Sequence, residues 1–117
     1  MKAKIKSLAG LCALAFPLGA IAGGTASGTV SNVFSDASFA NVVYVTLSGV
    51  KTGNPACSSS GRGQFVIPVT AANDYSYMLL LLMSARVTSS TITITGQNQC
   101  NVDNSVETIQ NIKVNGA

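Results

Sequence analysis

Histidine and tryptophan are both absent from these 117 residues, and only 9% of the residues carry a charged side chain. Without histidine, a serine or cysteine nucleophile has no imidazole base, which excludes the familiar triad hydrolases. With no Cys-x-x-Cys spacing among the three cysteines, the usual zinc donor sets are missing too. Gly61-Arg62-Gly63 is too short for a phosphate-cradling loop and reads as a hairpin turn. No metal and no cofactor are expected. The acids Asp36, Asp74, Asp103 and Glu107 fall in a turn, at a helix start, in a loop and near a strand start. They make no local carboxylate pair such as a glycosidase uses, and are expected to serve as caps, turn formers and solubilising groups. No catalytic residue is assigned, and the chain is not expected to be an enzyme.

What is present begins with a leader. Lys2, Lys4 and Lys6 precede an apolar run from Leu8 to Leu18, and Ala20-Ile21-Ala22 stands before Gly23. Basic start, apolar middle and small-x-small end describe a secretory signal over residues 1–22, too short for a membrane span. Cys12 lies inside it, preceded by Leu11 where a lipid-anchor signal wants a small residue. Export to the periplasm or the medium is expected, with residues 23–117 as a single domain. The formal charge of +3 belongs to the leader, because Lys51, Arg62, Arg86 and Lys113 balance the four acids. A neutral domain lacks the counterion-release term behind nucleic-acid binding, so DNA and RNA are set aside.

Two cysteines remain after the leader, Cys57 and Cys100. In an exported chain an even pair reads as one disulfide, the alternative being two buried thiols. The bridge would close about 44 residues and contribute roughly 4 kcal/mol in the chain-entropy view.

The segment Asn73–Arg86 is the one stretch with helical spacing. Asn73 is placed to cap it and Asp74 to complement its dipole. Tyr75, Met78, Leu79, Leu82, Met83 and Arg86 project to one side, with Tyr77, Leu80 and Leu81 opposite. A helix apolar on two sides is either sunk in its own core or packed on a second copy of the chain, through Tyr77, Leu80 and Leu81. Around it lie strand patterns. Thr29–Ser35, Asn41–Gly49, Gln64–Val69, Thr91–Thr95 and Gln110–Val114 give five short strands, with Ile112 and Val114 turned inward in the last. In Asn41–Gly49 both faces are partly apolar, which predicts a strand covered on both sides or one lying at an interface. Gly23–Ser27 reads as a frayed small-residue lead-in. Five strands with one helix between the third and fourth is the element order of an OB-fold, and a mainly β barrel of that kind is expected.

Several features occur together in register. They are a Val-rich first hairpin, a cysteine before the third strand, Tyr77–Arg86 leading into Ile92-Thr93-Ile94-Thr95-Gly96, and Cys100 before Glu107–Val114. In these the chain resembles small secreted proteobacterial proteins related to the binding (B) subunits of subtilase-cytotoxin-type toxins. The resemblance implies an OB-fold that assembles into a ring and recognises glycans. It carries no sugar-contacting residue onto a position of this chain.

Sugars are held by amides, hydroxyls and aromatic faces. The polar loops supply Arg62, Gln97, Asn98 and Gln99 for the first kind of contact, and Tyr44 for stacking. The function expected is a secreted, homo-oligomeric binding module for a glycan or a partner protein. The alternative is an envelope-associated structural protein without a small ligand.

Overall fold

The computed structural model describes residues 23–39, 41–69 and 75–115. The chain opens with two nearly continuous strands, β1 (Thr25–Gly28) and β2 (Val30–Phe34). Gly28 separates them at φ 139°, a left-handed backbone where a side chain would also run into Ser48. The kink sends the two strands into different sheets. β2 pairs with β3 (Val42–Leu47), which pairs with β4 (Phe65–Pro68). β1 pairs with β5 (Ile92–Gly96), which pairs with β6 (Ile109–Val114). Both three-stranded sheets are antiparallel, in orders β2-β3-β4 and β1-β5-β6. A parallel bridge between Val66 and Thr108 links them, with Val66 N–H donating to the Glu107 carbonyl at 2.9 Å.

The described residues therefore form the expected mainly β fold with one helix, but with six strands in two sheets where a five-stranded, partly open OB-type barrel was expected. The extra strand is β1, where a frayed lead-in was expected. Its residues Thr25-Ala26-Ser27-Gly28 offer one apolar side chain, too little for a sequence pattern. Pairing with the strongly alternating Ile92–Thr95 supplies the order that the segment lacks on its own.

The core follows the alternation. Val45 and Leu47 of β3 and Phe65 and Ile67 of β4 meet Ile92, Ile94 and Ile109 in the main cluster. The other face of β3 and β4 is buried as well, where Val42, Tyr44 and Val66 join Val106 in a second cluster. The expected two-sided cover of β3 is thus present. In β6 the inward residues are Ile109 and, partly, Ile112, whereas Val114 is 44% exposed. A bulge at Thr95/Gly96 shifts the register opposite Ile109, while Val114 lies at the far end of the ladder, paired with Ile92.

Helix α1 (Tyr75–Thr88) lies across both sheets, touching β6 on one side and β2 and β4 on the other. Leu82 and Ala85 are buried, and Tyr75, Met78 and Leu79 pack beside them. Met83 and Arg86, projected inward from the sequence, are exposed. With apolar residues all round, the wheel leaves the docking face open, and the small Ala85 lets the last turns approach the sheets closely. The proposed cap Asn73 and its neighbour Asp74 lie outside the described residues. At the other end Ser89 adopts φ 57° and Ser90 N–H returns to the Ala85 carbonyl at 3.0 Å, closing the helix in a Schellman arrangement.

Cys57 and Cys100 are bonded, as expected. The bridge joins the loop after β3 to the loop after β5, two segments with little regular pairing of their own. Replacing both cysteines by serine should lower stability by about 2–4 kcal/mol, read as the shift of the urea midpoint. An unchanged midpoint would show that these loops are held by their hydrogen bonds alone.

Candidate functional site

Beside the disulfide the surface opens into a cleft of about 420 Å³, lined by Phe39, Val42, Tyr44, Arg62 and residues 100–104. Its wall is an aromatic stack. Tyr44 on β3 stacks on Phe34 of β2 with ring centres 5.1 Å apart, and Phe39 meets Tyr44 edge-on at 5.9 Å. Tyr44 itself has no exposed surface, whereas Phe39 is 36% exposed. Phe39 is set there by the turn beginning at Asp36, whose carboxylate accepts from Ser38 N–H at 2.9 Å while its carbonyl accepts from Phe39 N–H. Arg62 lies over the Phe39 ring at 4.5 Å, a cation–π contact made with a half-exposed guanidinium.

Asp103 is the hub of the cleft. It accepts hydrogen bonds from Tyr44 Oη at 2.5 Å, Arg62 Nη2 at 2.7 Å, Ser105 N at 2.9 Å and Ser105 Oγ at 3.0 Å. Burial works to raise its pKa, but the Tyr44, Ser105 and Arg62 donors outweigh burial and hold it down at about 2. The partners shift the other way. Burial first, and then donation to Asp103, push Tyr44 above its ordinary value. The hydrogen bond to Asp103 raises Arg62 further. The cleft thus keeps a permanent ion pair whose guanidinium still faces outward.

A second ion pair lies deeper. Lys51 Nζ is 2.9 Å from Glu107 Oε1, with both side chains almost wholly buried. Glu107 also accepts from Gly24 N–H at 3.1 and 3.2 Å and from Asn98 N–H at 2.7 Å. Lys51 donates to the Gln64 carbonyl at 2.8 Å and sits 4.4 Å over the Phe65 ring. Asp103 and Glu107, expected as surface acids, are both buried and paired. Their partners are 41 and 56 positions away in sequence, far outside any local pattern.

Compared with known proteins, the chain matches no family model, no curated protein and no solved structure.

Of the residues singled out from sequence for ligand contact, Tyr44 and Arg62 come together in the cleft. Gln97 does not join them: its amide donates to Tyr75 Oη and to the Ile109 carbonyl, tying β5 to the helix. Asn98 and Gln99 are exposed outside the cleft. Asn98 takes a positive φ of 66° that turns its N–H onto Glu107. Phe39 and Asp103 were missed. The available signal for Phe39 was a large aromatic directly after the turn residues Asp36-Ala37-Ser38. On the helix, Tyr77 is 70% exposed, Leu80 69% and Leu81 42%. Together with Met83 and Val87 they leave a broad uncovered apolar face. Among the described residues no three His, Cys, Asp or Glu side chains gather as a metal site. Every buried side-chain nitrogen or oxygen there has a partner.

The depressed pKa of Asp103 fixes the sign of an acid effect. Its contribution is complete above about pH 4, the unfolded value, and is lost as pH falls through about 2. Urea midpoints should therefore drop between pH 4 and 2. Tyr44→Phe should cost about 1–3 kcal/mol at pH 7 by removing a buried donor, and should shift the acid transition upward. An acid limb unmoved by Tyr44→Phe would separate it from Asp103.

Proposed function

We propose that residues 23–117 form an exported, non-enzymatic binding module that works as a homo-oligomer and holds a glycan in the Phe39–Arg62 cleft. The cleft carries this reading. It combines a partly exposed aromatic ring, a guanidinium held in place by Asp103, and the exposed Asn104 beside them. Hydroxyl-rich ligands use that combination: the ring covers an apolar sugar face, and the fixed polar groups select hydroxyl geometry. Because Arg62 is already paired, the cleft suits a neutral ligand better than a strongly anionic one.

The architecture supports the same reading. The kinked β1–β2 segment serves both sheets, α1 stands between β4 and β5, and the Val66–Thr108 bridge is parallel. An OB-type barrel has these features, and we read the two sheets as its two halves. The resemblance to toxin B subunits adds the expectation of a ring. The exposed Tyr77, Leu80 and Leu81 face of α1 is the surface we assign to contacts between copies. The disulfide fits an oxidising compartment, periplasmic or extracellular. No helix among the described residues is long and apolar enough to cross a membrane.

A single glycan site of this size binds weakly, so several copies should act together. Native mass spectrometry of the secreted protein should give a closed oligomer. Leu80→Asp should dissociate it into folded monomers, whereas Leu82→Asp, at a fully buried position, should unfold the chain. On a glycan array, Phe39→Ala should weaken the bound signal about tenfold while leaving the oligomer intact. A monomer that retains no glycan would overturn the reading and leave the envelope-associated structural role.

A further inference from the structure

Glu107 is a fully buried carboxylate that receives Lys51 Nζ, Asn98 N–H and a Gly24 N–H shared between both oxygens. The backbone of Gly23 also lies against it. A Cβ built on Gly23 would overlap Glu107 Oε2, so only hydrogen separates that α-carbon from the carboxylate. Covalent geometry then places the Gly23 nitrogen within about 5 Å of the same oxygen. Turning about the Cα–C bond moves the nitrogen toward the carboxylate, on a side where the Gly96 carbonyl oxygen and the Asn98 nitrogen both lie within 2.5 Å of an ideal Cβ position.

The sequence supplies the second observation. Ala20-Ile21-Ala22 is a small-x-small site, and cleavage after Ala22 makes Gly23 the first residue. Hydrolysis of that peptide bond adds water across it, leaving a carboxylate on Ala22 and an α-ammonium on Gly23. We propose that this new ammonium pairs with Glu107 Oε2, so that removal of the leader completes the buried charge cluster and stabilises the mature fold. Glu107 then faces two cations, Lys51 from the β3 loop and the chain terminus. Gly23 remains partly exposed, so the ammonium can keep water on its remaining protons. A side chain at position 23 would block the approach, which gives this glycine a role at the start of the mature chain.

The test compares the exported protein, its Gly23 terminus verified by mass, with the same chain retaining Ala22. At pH 7 the retained residue should lower the folded-to-unfolded ratio about tenfold. The native terminus should titrate above the ordinary α-amino range of about 7.7–8.0, measured by NMR on glycine-labelled protein. A raised folded pKa means that the advantage is complete below about pH 8 and fades as pH rises through the folded value. Glu107→Gln should remove most of the difference between the two termini. Should that variant fail to fold, the titration decides alone. Equal stability of the two chains, or an α-amine titrating at or below its ordinary value, would overturn the pairing.

Discussion

The fold depends on a carboxylate held where water cannot reach it. Removing Glu107 from solvent is tolerable only because a lysine and backbone amides replace its hydration shell. Those partners come from the segment before β1, the loop after β3 and the loop after β5, so one side chain gathers three distant pieces of chain. Their approach leaves no space for side chains. A Cβ on Gly23 or Gly96 would overlap the carboxylate, and one on Gly24 would come within 2.9 Å of it. The glycines are needed here for closeness, whereas Gly28 is needed for its backbone angle.

The two ion pairs divide the work. Lys51–Glu107 is almost wholly buried and ties together the segments before β1, after β3 and after β5. Arg62–Asp103 sits at the rim, with Arg62 half exposed and Asp103 tied to Tyr44 and Ser105. Four of the eight charged residues from position 23 onward are consumed in these pairs. Little charge is left to steer an ionic partner from a distance. The cleft accordingly offers shape, an aromatic ring and short hydrogen bonds rather than free charge. Cys100 lines the same cleft, so the disulfide steadies the cleft wall as well as the loops.

Legibility differed by element for physical reasons. β3 and β5 were plain, because Val43/Val45/Leu47 and Ile92/Ile94 alternate with polar or opposite-face residues. The helix was equally plain as a helix, yet its orientation was not. Apolar groups surround it, and only contact with β2, β4 and β6 chose Leu82 and Ala85 over Met83. β1 escaped notice because its order comes from its neighbour's hydrogen bonds and not from its own side chains. Of the cleft, Tyr44 and Arg62 stood out as an aromatic in a strand and a cation in a turn. Asp103 did not, since nothing near it in sequence announces Tyr44 or Arg62 as a partner.

By itself the sequence determined what local chemistry can carry. That covers the lack of an imidazole base, the paired cysteines, the alternating strands and the one helical run. Tertiary structure decided which acids are buried, which helix face docks, which small residues must be glycine, and that Phe39 offers the open ring. Periodicity and composition act over a few residues, so they leave a trace in the chain. Ion pairs, close backbone approach and cleft walls join residues dozens of positions apart, and exist only once the sheets have met.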